Sequence, residues 1–158
     1  MITYNNLMGI FEDIATKHHQ LQKYETGELS DVDLEKMDAT NFPLLFVEPN
    51  NVSVNSGASI ITLDFMVMEL VQSDEANITD AYSECLQICN DIIAEFEQIL
   101  SACSFVGAST HSKYVLQKPV NLLPFTRRFS NLLTGWGGSI SIEVDSELNL
   151  GIAPIEQS

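Results

Sequence analysis

The 158-residue sequence predicts an α+β fold, in which an N-terminal helix and one long amphipathic helix pack on a mostly antiparallel sheet. Two stretches repeat apolar residues at spacings of three and four, which is typical of helices. The other apolar stretches alternate, or run unbroken between turn residues, which is typical of strands. Their order along the chain is helix, long loop, strands, helix, strands, which favours α+β over repeated β-α-β units. The length suits a single domain covering residues 1–158.

The first predicted helix covers residues 3–22. Thr3 can cap its start and Gly27 lies beyond its end. Its apolar side is formed by Tyr4, Leu7, Phe11, Ile14, Ala15 and His18. We interpret it as a helix that packs against the rest of the domain.

A long acidic loop is predicted over residues 24–41, which hold six acidic residues and one Lys. Loops of this length inside a domain are often functional, or become ordered against a partner. A second irregular segment is predicted over residues 150–158.

Two strands are predicted over residues 42–49 and 59–71, with a turn at Asn50-Asn51 between them. The longer strand places on one face Ile61, Leu63, Phe65, Val67 and Val71. Its opposite face is also apolar, through Ile60, Met66, Met68 and Leu70. A strand that is apolar on both faces is central in its sheet or covered by another subunit.

The long helix is predicted over residues 77–103. Its apolar side gathers Ala81, Cys85, Ile88, Ile92, Phe96 and Ile99. A narrow polar stripe lies opposite, formed by Asp80, Glu84, Gln87, Asp91, Glu95 and Gln98. The stripe is either a solvated face or a surface presented to a channel or to a basic partner.

The remaining elements are predicted as strands over residues 113–117, 120–129 and 139–144. The glycine-rich segment Gly135–Gly138 is predicted as a bend or turn before the last of them. Because it precedes a strand and not a helix, it does not form a phosphate-binding loop.

Acidic residues number 22 and basic residues 7, which gives a net charge of −15. Such a chain repels phosphate, which excludes a sequence-specific reader of DNA or RNA and disfavours anionic membranes. Residues 37–112 contain no Lys or Arg, so the negative field is concentrated there. We also expect neither a transmembrane span nor a signal peptide.

The sequence carries no motif for catalysis, and we expect no enzyme activity, cofactor or metal. Cys85 and Cys89 lie one helical turn apart, but both fall on the apolar side, where Cys acts as a small hydrophobe. Asp64 and Glu69 have the spacing of a nuclease motif, but Val71 occupies the position of its Lys.

The order of elements resembles that of small phage tail-terminator and tail-completion (neck) proteins. The resemblance rests on the N-terminal helix, the acidic segment Gly27–Ser30, the strand Phe42–Pro49, the long strand over 59–71, the helix over 77–103, and Asn131–Trp136 followed by a strand. It implies a virion structural protein, made in the cytoplasm of a bacterial host and located in the tail or neck.

The resemblance further implies a homohexameric ring at the head-proximal end of the tail. Such a ring contacts the tail tube protein and the connector, and DNA passes through it without sequence-specific binding. An acidic wall suits such a conduit because it does not hold the duplex. The acidic helix face, the 24–41 loop and a hairpin tip all remain candidates for lining the channel.

We predict the residues of the ring from this resemblance and from the apolar and charge patterns. Met66, Met68 and Leu70 are expected to help cover a subunit interface. Arg127 and Arg128, adjacent cations in an acidic chain, are expected to pair with carboxylates of the next subunit. The alternative is an ion pair within their own chain or a solvated position. The residues expected to contact a neighbour or the channel from the acidic loop are Asp31, Asp33 and Glu35.

Two alternatives to a tail terminator remain. One is another neck, connector or minor tail protein. The other is an acidic DNA mimic that inhibits a nucleic-acid-binding protein, which the stripe on the long helix fits. Ring assembly would favour the tail proteins, and binding to a basic partner would favour mimicry.

Overall fold

A six-stranded sheet forms the centre of the described part of the chain, and both described α-helices lie on one of its faces. The computed structural model describes residues 2–27, 39–71, 76–109, 111–128, 132–146 and 155. The elements in chain order are α1 Tyr4–Lys17, β1 Lys23–Thr26, a short 3-10 helix Ala39–Asn41, β2 Leu44–Ser53, β3 Gly57–Val71, α2 Ile78–Ala102, β4 Tyr114–Leu116, β5 Leu122–Arg128 and β6 Leu132–Ser146. The α+β fold class is confirmed.

The sheet order is β1-β2-β3-β6-β4, and β5 pairs with β6 next to β4. All pairs are antiparallel except β1 with β2, which are parallel. The two longest strands, β3 and β6, pair along their full 15-residue lengths from Gly57↔Ser146 to Val71↔Leu132. Of the two alternatives for the strand over 59–71, central in its sheet or covered by another subunit, the structure shows the first, since β3 lies between β2 and β6.

The main core lies between the helices and the sheet. Phe11 of α1 stacks on Phe96 of α2, with ring centroids 4.9 Å apart. Every predicted apolar residue of α2 is buried, and Cys89 is buried with them. The helix face of β3 contributes Leu63, Phe65 and Val67 to the same cluster.

Helix α1 starts as predicted and ends five residues earlier than predicted. The Thr3 hydroxyl accepts a hydrogen bond from the Asn6 N–H, and the Asn6 side chain accepts one from the Thr3 N–H. This reciprocal pair is a capping box. At the other end His18 is extended, and its N–H closes the helix on the Ile14 carbonyl.

Part of the predicted 24–41 loop is a strand. Its first residues belong to β1, where Tyr24 pairs with Leu45 and Thr26 with Val47. Residues 28–38 lie outside the described residues, as do 150–154 and 156–158 of the predicted irregular segment.

The turn predicted at Asn50-Asn51 is wrong. Strand β2 continues through these residues with a shift in register between Pro49 and Asn51, and the chain reverses only at residues 54–56. A register shift of this kind bends a strand without ending it. The two asparagines therefore mark a bulge.

The turn predicted at Gly135–Gly138 is also wrong, because these residues lie inside β6. A Cβ on Gly135 would overlap the carbonyl oxygen of Val67 in the adjacent β3. The glycine therefore permits a close approach of two paired strands and does not mark a bend.

Candidate subunit interface

The sheet face opposite the helices, which we call the far face, carries a second buried apolar cluster. Side chains alternate along β3, so Phe65 and Val67 point to the helices while Met66 and Met68 point to the far face. The buried members of this cluster are Phe42, Leu44, Phe46, Met68 and Leu133. Met66, Leu70 and Phe125 pack on it and stay partly exposed. The sheet is thus apolar on both faces, as predicted for its central strand.

The predicted interface residues of β3 all lie on the far face. Met68 is only 1% exposed, so its side chain is already covered within one chain. Met66 and Leu70 keep part of their surface available for contact. The interface role of all three residues stays a prediction. Because Met68 is buried, it lies beneath the exposed part of this surface.

A groove of about 380 Å³ runs along the far face, and we call it the far-face groove. Gly137 of β6 forms its floor, because it pairs with Met66 on one side and with Leu123 on the other. A residue without a side chain between two large ones leaves a depression in the sheet surface. Leu123 is 72% exposed, and Pro124 and Phe125 extend the apolar wall that it begins.

One end of the groove is acidic. Glu48 of β2 and Asp64 of β3 are directly paired in the register, so two carboxylates lie side by side. Asp64 accepts hydrogen bonds from the Ser139 hydroxyl and from the Asn50 amide, the latter at 3.1 Å. The ion pairs among the described residues involve neither carboxylate. This end of the groove therefore favours hydrogen-bond donors and cations.

The predicted cationic pair lies on β5, beside the far-face cluster. In the backbone register Arg127 pairs with Leu133 and Arg128 with Leu132. Their side chains lie outside the described part of the structure. The loop residues Asp31, Asp33 and Glu35 also lie outside the described residues.

The acidic stripe of α2 faces outward on the helix side of the sheet. Asp80, Asp91 and Glu95 are exposed, and Glu84 is half-buried. Asp91 binds the His18 ring at 2.9 Å, which joins α1 to α2. The stripe and the far-face groove thus lie on opposite sides of the molecule.

Glu69 is a titratable group that the sequence analysis interpreted only as part of a failed nuclease motif. It lies at the end of β3, where it contacts Glu84 of α2. Burial and the neighbouring carboxylate raise the pKa of Glu69 to about 7. Only the packing of β3 against α2 brings the two together, so the spacing along the chain gave no signal.

The thiols of Cys85 and Cys89 are buried against the sheet, as predicted. Burial raises the pKa of both, that of Cys89 to about 12. Among the described residues no group of three or more His, Cys, Asp or Glu side chains is placed to hold a metal ion.

A cavity of about 780 Å³ lies between α1 and the connection that follows α2. Its walls include Asn5, Gly9, Phe105 and the exposed Val106. Asp13 is the one charged residue among the lining residues that the structure describes. We assign no chemistry to this cavity.

The sequence matches no family model and no curated protein. Within the described part of the chain, no helix has the length and apolarity needed to cross a membrane.

Proposed function

We propose that the chain is a structural subunit of a phage virion, a tail terminator or neck ring at the head-proximal end of the tail. It acts by assembly and not by catalysis. Copies of the chain contact one another, the tail tube and the connector, and the ring they form is part of the DNA conduit.

The observation that carries the proposal is the far face: an exposed apolar groove on a chain whose net charge is −15. Strong like charge opposes association of copies, so contact between them requires apolar surface. The far-face groove and the exposed parts of Met66 and Leu70 supply such surface. The same negative charge suits a wall along which DNA slides, because phosphate is not held.

The mass of the purified protein in solution, measured across a range of salt concentrations with negative-stain images of each sample, tests this proposal. We expect closed rings with a central hole, and a larger ring fraction at high salt, because screening relieves the repulsion between copies. Particles of one chain at every salt and protein concentration would contradict a ring that assembles alone.

The acidic stripe of α2 favours a second candidate, a DNA mimic that occupies the basic site of a nucleic-acid-binding protein. Exposed carboxylates at Asp80, Asp91 and Glu95 lie along one side of a 25-residue helix. A mimic would bind a basic partner with strong salt dependence. Rings that do not bind such a partner would exclude it.

A further inference from the structure

The hairpin that joins β2 to β3 is free of charge. Residues 49–63 contain no Asp, Glu, Lys, Arg or His, although the chain carries 22 acidic residues. This segment covers the end of β2, the reversal at residues 54–56 and the first half of β3. A second copy, which is itself strongly negative, meets no like-charge repulsion from it.

The tip of this hairpin presents apolar side chains on a defined backbone. Val52 and Val54 are 50% and 59% exposed. Gly57 has a φ of +94°, which suits glycine at the reversal, and the buried Ser59 hydroxyl accepts a hydrogen bond from the Asn55 N–H at 3.5 Å. A tip that is partly ordered by such contacts loses less entropy on binding than a free loop does.

The far-face groove has the features that this tip would fit. Its walls at Met66, Leu123 and Phe125 are apolar, and its Glu48–Asp64 end favours hydrogen-bond donors. The tip offers valine side chains together with the amides and hydroxyls of asparagines and serines in 51–56. We propose that the β2–β3 hairpin tip of one copy occupies the far-face groove of a second copy. This inference rests on the proposed function, because it names the contact between subunits of the ring.

The contact joins two different surfaces of the chain. The tip is fixed roughly 23 Å along β3 from Asp64, at about 3.3 Å per residue, so it does not reach the groove of its own chain. A contact between unlike surfaces is heterologous, and it closes into a ring when the rotation between copies allows. One such contact per subunit is therefore sufficient for a cyclic assembly.

The first test places a carboxylate on the tip. In Val54→Asp we expect the dissociation constant between copies, from analytical ultracentrifugation, to rise at least about tenfold. The matched control is Val106→Asp, because Val106 is 86% exposed and also lies in an uncharged stretch, after α2. We expect the control to associate as the unchanged chain does. Circular dichroism and the Tm of each variant check that folding is unaffected.

A substitution that adds a positive charge at the same position tests whether the acidic end of the groove is the binding site. Val54→Lys brings a cation to the acidic end of the groove, so we expect association at least as tight as that of the unchanged chain, and tightest at low salt. Equal weakening by the Asp and Lys substitutions would overturn the pairing of the tip with Glu48 and Asp64.

Mixing two defective chains tests the heterologous geometry. Leu123→Asp damages the groove and leaves the tip intact, whereas Val54→Asp does the reverse. A mixture retains one intact contact per pair of chains, so we expect heterodimers and no rings. Mixtures that stay monomeric would overturn the pairing of tip with groove.

The outcomes separate this inference from the proposed function. Rings formed equally by the unchanged chain and Val54→Asp would overturn the inference and leave the function standing. Oligomers that need the tip but bind a basic nucleic-acid-binding protein in place of a tail tube would support the inference and overturn the function. A chain that remains monomeric at every concentration would overturn the contact itself.

Discussion

The two faces of the sheet differ although they are built from alternate residues of the same strands. On the helix face, Phe65 and Val67 lie in a continuous core closed by α1 and α2. On the far face, Met66 and Met68 lie in a smaller cluster whose rim remains exposed at Leu123. The comparison indicates that both faces bury apolar side chains, but that the far face also keeps apolar surface exposed, at Leu123 above all. Changes on the two faces should therefore have different consequences.

The largest expected effect is a change to a core side chain on the helix face. Phe65→Ala removes a side chain with no exposed surface and should lower the free energy of unfolding by about 3–5 kcal/mol. Its neighbour on the far face gives the matched change: Met66→Ala should cost about 1 kcal/mol, because Met66 is only partly buried. Urea denaturation of both variants measures the difference. Equal losses would show that the far face contributes as much to stability as the core does.

The next largest effect concerns the close approach of β3 and β6. Gly135→Ala places a methyl group against the Val67 carbonyl, and displacing the paired backbone should cost about 2–3 kcal/mol. Gly9→Ala is the control, because Gly9 lies in α1 with nothing within 4 Å of its added Cβ. That control should raise the Tm, since Ala stabilises a helix over Gly by roughly 0.5–1 kcal/mol. A harmless Gly135→Ala would contradict the observed strand spacing.

A smaller, pH-dependent effect is expected at the junction of α2 with β3. The pKa of Glu69 is about 7, above its ordinary value of 4.5, so the native chain binds more protons than the unfolded chain between these pH values. The stability contributed by protonated Glu69 is complete below pH 4.5 and is lost as the pH rises through 7. Glu69→Gln should therefore gain about 1–2 kcal/mol over the unchanged chain between pH 5 and pH 8, a figure reduced for partial exposure. Urea denaturation at the two pH values measures the gain.

The exposed Glu95 of the same helix supplies the control for this pH dependence. Glu95→Gln removes a carboxylate that is exposed and should not reproduce the gain of Glu69→Gln. A pH profile of Glu69→Gln parallel to that of the unchanged chain would mean that burial beside Glu84 does not raise the pKa of Glu69.

The smallest expected effect is at the start of α1. Thr3→Ala removes the hydroxyl that caps the Asn6 N–H and should lower the free energy of unfolding by about 1 kcal/mol. Thr3→Ser keeps the hydroxyl and should recover most of the loss. Thermal unfolding of the two variants distinguishes a lost cap from a lost methyl group.

Regular periodicity made the longest elements predictable. The 3.6-residue period of α2 and the two-residue alternation of β3 depend on residues close in the chain, and both elements were located to within two residues. The prediction of a turn at Gly135–Gly138 was wrong because the need for glycine at Gly135 is set by Val67, a residue far away in sequence. The pairing of β1 with β2 was missed for the same reason, since Tyr24 and Leu45 are partners only in the folded sheet.

Only one feature of the candidate site, the face on which its residues lie, was predictable from the sequence. Alternation alone placed Met66 and Leu70 on the face opposite the main core, which is where they lie. The groove itself was not predictable, because it requires Gly137 to stand between Met66 and Leu123 from two other strands. The Glu48–Asp64 pair likewise arises only from the register of β2 on β3.

The full-length pairing of β3 with β6 also sets the order in which this protein can fold. Its paired residues lie between 61 and 89 positions apart, so the centre of the sheet forms only after a long loop has closed. During synthesis β3 can pair with β2, but its other neighbour in the sheet, β6, is absent until residues 132–146 have been made. Chains dominated by such distant contacts fold in about milliseconds to seconds, more slowly than helical bundles. During that interval the edge of β3 that later pairs with β6 is unpaired, and unpaired strand edges are prone to aggregation.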